Sequence, residues 1–202
     1  MSIKAANAHL SKDKILKGVI QTTEILKLPN SGHVFNELVK AIVYQQISYK
    51  AADSIYARFV TLLKTEEYLP KHILKFKPDD LRSVGFSRQK AQYVFNIAEF
   101  FKENKLMSTD WQSKSDEDIL KLLTQIKGVG EWTVQMILIF ELGRPDVLPV
   151  KDLAIQLVAK ELYSLQSEKT KLLREIEAIG EAWRPYRTYA SLYLWAWRRD
   201  NY

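Results

Sequence analysis

The stretch ILKLLTQIKGVGEWTVQMILIFELG, Ile119–Gly143, decides how this chain is read. Ile119, Leu122, Leu123 and Ile126 recur at helical spacing. Lys127-Gly128-Val129-Gly130 breaks the pattern, and from Glu131 it resumes with Thr133, Met136, Ile137 and Phe140 on one face. The reading is helix, tight glycine hairpin, helix. Two glycines let a turn reach φ > 0 and let a ligand approach the backbone closely. The turn feeds the start of a helix, where amide N–H groups and the positive dipole end favour a phosphate. Val129, between the glycines, is placed to anchor the turn in a core. Such a hairpin grips one nucleic-acid strand through its phosphates and reads no sequence. Taken by itself, Gly-x-Gly reads first as a plain tight turn; the helices on both sides and the basic balance bring the phosphate reading level with it.

Working outward, the apolar spacing is helical almost throughout, and no alternating stretch reads as a strand. Phe35, Leu38, Val39, Ile42 and Val43 form one face, Ile55, Phe59, Leu62 and Leu63 a second, and Ala91, Val94, Phe95, Ala98 and Phe101 a third. Pro78 suits a first helical turn before Asp79 and Asp80. Ser87 reads as an N-cap, and Ser115 with Asp118 resembles a capping box with Asp in the Glu place. Ser167 is expected to cap a helix that runs to Ile179 and ends at Gly180, and Pro185 to open the last helix. Trp111 should pack within the polar stretch 102–118. About ten short helices result, with no linker, repeat or low-complexity tract: one all-α unit.

Composition narrows the function. The chain has 202 residues, 47% hydrophobic and 27% charged, as in an ordinary globular protein. The absence of cysteine excludes disulfides, Cys-ligated zinc and iron–sulfur clusters. His9, His33 and His72 show no metal-ligand spacing, so no structural metal is expected. No signal peptide is read at the N-terminus, and the run Met136–Phe140 is too short to span a bilayer. A cytoplasmic protein without a membrane partner is expected. The net charge of +6 hints at nucleic acid without requiring it.

Twenty-two residues beyond Gly130, Leu148-Pro149-Val150-Lys151-Asp152-Leu153 brings an extended segment to an aspartate at a helix start. Asp152 reads as an N-cap. That place also holds a carboxylate rigidly, so a chemical role is compatible with it.

With these residues assembled, the chain resembles the helix-hairpin-helix DNA glycosylases, and among them the 3-methyladenine (AlkA-like, alkylpurine) branch. The resemblance runs from about His33 to Trp197. It rests on five blocks in order: Gln45-Gln46-Ile47-Ser48 with Lys50-Ala51-Ala52; Gly85-Phe86-Ser87 with Lys90-Ala91; Ile126 to Thr133; Pro149 to Asp152; and Trp183 to Arg187 with Leu194-Trp195.

The resemblance implies an all-α, two-lobed fold with the active site in the cleft between lobes. Lobe one would be about 33–140, and lobe two 1–32 plus 141–202. At 202 residues, the helical core without an added N-terminal β-domain is expected. It implies a monofunctional glycosylase that hydrolyses the N-glycosidic bond of alkylated purines (the 3-methyladenine and 7-methylguanine class) in damaged duplex DNA. Asp152 matches the catalytic aspartate. Lys127, Gly128, Val129, Gly130, Thr133 and Ser48 match backbone-binding positions, with Arg88 and Lys90 as further phosphate candidates or solvated surface. A Na or K ion is implied at hairpin 126–130 when DNA is bound. Gln46 matches the wedge that fills the gap left by the flipped base. Its spacing from Phe35 puts it on the apolar face of its helix near the C-terminal end; an ordinary helix-end glutamine is the other reading. Trp132, Trp195, Met136 and Leu153 match the base pocket. Trp132 stands where bifunctional relatives carry a Schiff-base lysine, so no strand nicking is expected. For Trp132 and Trp195 plain core packing is the alternative. Where the family can carry tyrosines this chain has Met136 and Leu153, which implies a narrower or more apolar pocket.

Chemistry independently suits one aspartate. Breaking the bond builds positive charge on the sugar, which a carboxylate stabilises. A base alkylated at N3 or N7 is already a cationic leaving group and needs no second acid. The alternatives are a glycosylase for other damaged bases and a helix-hairpin-helix protein that binds DNA without cleaving it. A monomer bound to DNA, nucleoid-associated through it, is expected.

Overall fold

The helical spacing is realised in a computed structural model that describes residues 2–25 and 32–202. The chain forms α1 (Ile3–Leu10), α2 (Lys14–Thr22), α3 (Val34–Tyr44), α4 (Tyr49–Leu63), α5 (Pro70–Ile73), α6 (Pro78–Ser83), α7 (Arg88–Glu103), α8 (Asp116–Leu123), α9 (Glu131–Met136), α10 (Leu153–Leu162), α11 (Lys169–Glu181) and α12 (Arg187–Asn201). Two 3-10 turns, Leu106–Ser108 and Trp111–Ser113, and a π-helical stretch, Ile137–Glu141, complete the regular structure. No strand occurs among the described residues.

The helices fall into two compact units, Asn30–Ile137 and Met1–Pro29 with Leu138–Tyr202. Met1 and residues 26–31 of the expected second lobe lie outside the described residues. In the first unit, α7 packs against α3, α5 and α6. Phe35, Leu38, Val39, Ile42 and Val43 are all buried, as the spacing of α3 requires. Phe59 meets Tyr68 edge-on at 5.4 Å, and Trp111 packs on Phe101 at 6.0 Å. Each such buried side chain contributes about 1.5–3 kcal/mol. In the second unit, α12 packs against α10 and α2 around Leu16, Leu148, Ile155, Ile176, Trp183 and Leu194.

Cap chemistry follows the sequence in α6 and α7: Pro78 begins α6, and Ser87 accepts the Lys90 N–H. At α8, Ser115 Oγ accepts the Asp118 N–H, but the Asp118 carboxylate meets the Ser115 hydroxyl. Aspartate is one methylene shorter than the glutamate of a full capping box. Three expected boundaries are corrected. The residue before α11 is Glu168, with no side-chain cap, while Ser167 donates to Glu175. Gly180 lies inside α11 and does not end it; it packs under Leu148, whose Cδ2 would lie 2.4 Å from an added Cβ. Pro185 lies in the turn before α12, which starts at Arg187.

Candidate active site

Asp152 ends an irregular segment that follows the π-helical stretch. The start of that segment is fastened to the first turn of α12. Fully buried Thr188 donates its hydroxyl to the Arg144 carbonyl at 2.6 Å and accepts the Val147 N–H at 3.0 Å, and its own N–H donates to the Pro145 carbonyl at 3.0 Å. Arg187 grips Asp146 through Nε to Oδ1 at 2.8 Å and Nη2 to Oδ2 at 3.1 Å, and Nη2 also donates to the Asp146 carbonyl. Such two-pronged pairing sets direction as well as strength. Arg184 adds a bond to Asp146 Oδ2 at 2.6 Å.

The far end of the segment is held by the same helix. Trp195 Nε1 donates to Asp152 Oδ1 at 2.9 Å, and the Ile155 N–H donates to that oxygen at 3.0 Å. Asp152 is thus the N-cap of α10, with a second donor aimed at its capping oxygen. Trp195 is steadied by a stacked contact with Phe140, centroids 5.8 Å apart. Thr188 and Trp195 are seven residues apart, about two helical turns, so α12 splints both ends of the segment. Leu153, the first residue of α10, is 69% exposed beside this carboxylate.

The hairpin belongs to the other unit. Ile126 and Val129 are buried, Val129 at 5% exposure, which anchors the turn as its position between glycines suggests. Gly128 has φ +108°, and a Cβ there would strike the Tyr93 ring at 2.3 Å. The Asn96 amide donates to the Lys127 carbonyl at 3.0 Å, so α7 supports the turn from below. Gly130 corrects the expectation for both glycines. Its φ is −96°, ordinary for any residue, and nothing lies within 4 Å of an added Cβ. Neither strain nor internal packing requires glycine there. Helix α9 follows at once, carrying Trp132 at 41% exposure and half-buried Met136 one turn on. Thr133 is only 3% exposed, on the face that also buries Ile137.

Gln46 is not on a helix face. Helix α3 ends at Tyr44, Gln45 is its C-cap, and Gln46 is exposed with φ +56°. A side chain in the left-handed region costs about 1–2 kcal/mol, because Cβ crowds the following carbonyl oxygen. Ser48, also exposed, caps α4 by accepting the Ala51 N–H. Half-buried Lys90, a phosphate candidate, donates its ammonium to the Val43 carbonyl at 2.7 Å. Arg88 is exposed.

Asp152 with Trp195 is therefore one cluster, and the hairpin with Trp132 and Met136 another. Sequence reasoning missed the Thr188 and Arg187 fastenings. The only trace of them was Arg187, in a motif block, placed two helical turns before Trp195.

The chain matches the HhH-GPD superfamily base excision DNA repair protein family over residues 39–185. It is 34% identical over 168 residues to the putative DNA-3-methyladenine glycosylase YfjP of Bacillus subtilis, an alignment covering 80% of this chain and 58% of that protein. The chain thus spans little more than half the length of that relative. Its fold superposes on the crystal structure of a DNA-3-methyladenine glycosidase from Bacillus halodurans with a TM-score of 0.82 and 35% identity, covering 96% of this chain and 88% of that one. A 3-methyladenine DNA glycosylase (Mag1) of Schizosaccharomyces pombe, solved in complex with abasic DNA, gives a TM-score of 0.79 at 32% identity over 95% of both chains.

Proposed function

The chain belongs to the HhH-GPD superfamily of base excision DNA repair proteins, and from that premise we propose that it is a monofunctional DNA glycosylase that hydrolyses the N-glycosidic bond of alkylated purines in duplex DNA. The observation that carries the reading is the fixed carboxylate of Asp152, with two donors converging on Oδ1.

In the proposed reaction the C1′–N bond breaks and its electron pair leaves with the base. A purine methylated at N3 or N7 departs neutral, so the protein need not protonate it. The sugar becomes oxocarbenium-like, and the Asp152 carboxylate stabilises that charge. Water then adds to C1′ with Asp152 positioning it and taking its proton, which passes on to solvent. The products are a free base and an abasic site. Trp132 offers an aromatic face to the cationic base, worth about 0.5–2 kcal/mol. It has no amine to form a Schiff base, so no strand nick follows. The hairpin holds the strand by its phosphates, and open space at Gly130 supports close backbone approach there. Exposed Gln46 serves as the wedge during base flipping, which costs a few kcal/mol and least for a damaged base.

A monovalent cation at the hairpin is part of the proposal. The turn offers neutral backbone carbonyls, of which Ile126 O accepts the Val129 N–H and Lys127 O the Asn96 amide. Such donors suit Na or K ions, and among the described residues no acidic or His cluster competes for a metal. Bound there, the ion would neutralise phosphate charge. No helix among the described residues is long and apolar enough to cross a membrane.

The test is release of free base from methylated duplex DNA by the wild type and by Asp152→Asn. The expected result is methylpurine release that the variant lacks. If wild type releases none, a DNA-binding role without catalysis replaces the enzyme. An equally active variant removes Asp152 from the mechanism. A nick made without added base would overturn the monofunctional assignment.

A further inference from the structure

We propose that Lys90 and the Tyr44–Asp53 pair are positioning residues that hold the Gln46 turn preformed and outward-standing for insertion into DNA. The inference rests on the reading of Gln46 as the wedge.

Four observations converge on the turn 45–48. First, Gln46 occupies the position just past a helix C-cap, with φ +56°. Glycine is the usual residue there because it adopts this conformation without strain. A retained side chain at a strained place calls for surrounding structure that over-determines it. Second, such structure is present on the entry side. The Val43 carbonyl is among the last of α3, which lack helical partners. Lys90, reaching from α7, donates its ammonium to it at 2.7 Å. A cation there also complements the negative dipole end. Burial lowers the Lys90 pKa, in keeping with an ammonium withdrawn from water into this contact. Third, the Tyr44 hydroxyl donates to the Asp53 carboxylate, tying the last residue of α3 to α4 across the turn. That hydrogen bond pushes the Tyr44 pKa up to about 12. Fourth, the exit is capped by Ser48, while Gln46, Ile47 and Tyr49 stand exposed, Tyr49 at 81%. Both ends are pinned and the tip is presented. Rigidity of this kind spares a wedge the entropy of ordering at the moment of insertion.

The experiment compares one alkylpurine, of the kind released in the bulk assay, in two duplexes. In one the lesion is opposite its normal partner. In the other it is opposite an abasic-site analogue, so that little pairing has to be broken. Single-turnover excision is measured for wild type, Gln46→Ala, Lys90→Met and Tyr44→Phe. Each variant is expected to lose about tenfold on the paired lesion, about 1.4 kcal/mol of barrier, and little on the unpaired one. A 2-aminopurine beside the paired lesion should show slowed flipping in the same three. Loss only in Gln46→Ala overturns the proposed role of Lys90 and Tyr44 and leaves the wedge standing. No selective loss in Gln46→Ala overturns the wedge and this inference with it. Equal loss on both duplexes in Lys90→Met and Tyr44→Phe marks a general structural defect and also overturns the inference.

Discussion

The indole Nε1 of Trp195 donates to Oδ1 of Asp152 at 2.9 Å, across 43 residues of sequence. The same oxygen caps α10 through the Ile155 N–H. The carboxylate is thereby held in one orientation by a group on another helix, and Phe140 stacked on that indole keeps the donor in place.

Trp195→Phe should keep the stacked ring and remove the donor. A hydrogen bond to a charged group contributes about 1.5–3 kcal/mol, so single-turnover base release should fall roughly ten- to hundredfold. DNA affinity should change little. An unchanged rate would show that Asp152 needs no partner on α12.

The two hairpin glycines should separate. Gly128→Ala forces Cβ into the Tyr93 ring at a positive φ, and should lower stability by about 1–3 kcal/mol in thermal unfolding. Gly130→Ala meets nothing within 4 Å. Its melting temperature should be close to wild type, while affinity for abasic duplex DNA drops. Tight binding by Gly130→Ala would place the phosphate contact elsewhere.

Thr188→Val removes the hydroxyl that bridges the Arg144 carbonyl and the Val147 N–H in a fully buried place. Leaving buried polar groups unsatisfied costs about 1–3 kcal/mol each. The variant should melt earlier. Its excision rate should also fall, because the segment leading to Asp152 loses its anchor. Lower stability with an unaltered rate would mean that Asp152 is set by Trp195 alone.

Asp13 offers a pH test. Burial works to raise its pKa, but hydrogen bonds from Trp183, Tyr163 and the amides of Leu16 and Ile15 outweigh it and leave the value lowered. A carboxyl lowered in the folded state stabilises it at pH above the unfolded value of about 3.9. That stability is lost as pH falls through the folded value. Asp13→Asn should unfold more readily at neutral pH and show a flatter acid limb in urea titrations. An acid limb as steep as that of wild type would assign acid sensitivity to other carboxylates.

The helical faces, the hairpin and the capping aspartate were legible in the sequence because each depends on residues a few positions apart. Val129 is buried between its glycines and Asp152 caps its helix because neighbouring residues impose those places. The errors came where one residue type serves two ends. Gly180 looked like a helix stop but is a contact glycine under Leu148. Lys90 looked like a surface cation but caps a carbonyl 47 residues away. Gln46 looked like part of a helix face, but the helix ends two residues earlier.

By itself, then, the sequence determined an all-helical chain, a glycine hairpin and a single candidate carboxylate, since spacing, turn chemistry and capping act locally along the backbone. Tertiary structure alone decided which donor orients that carboxylate, which glycine is required by packing, and which way a lysine or a glutamine side chain points. Those outcomes depend on helices far apart in sequence meeting at hydrogen-bond distance, and no local pattern encodes that meeting.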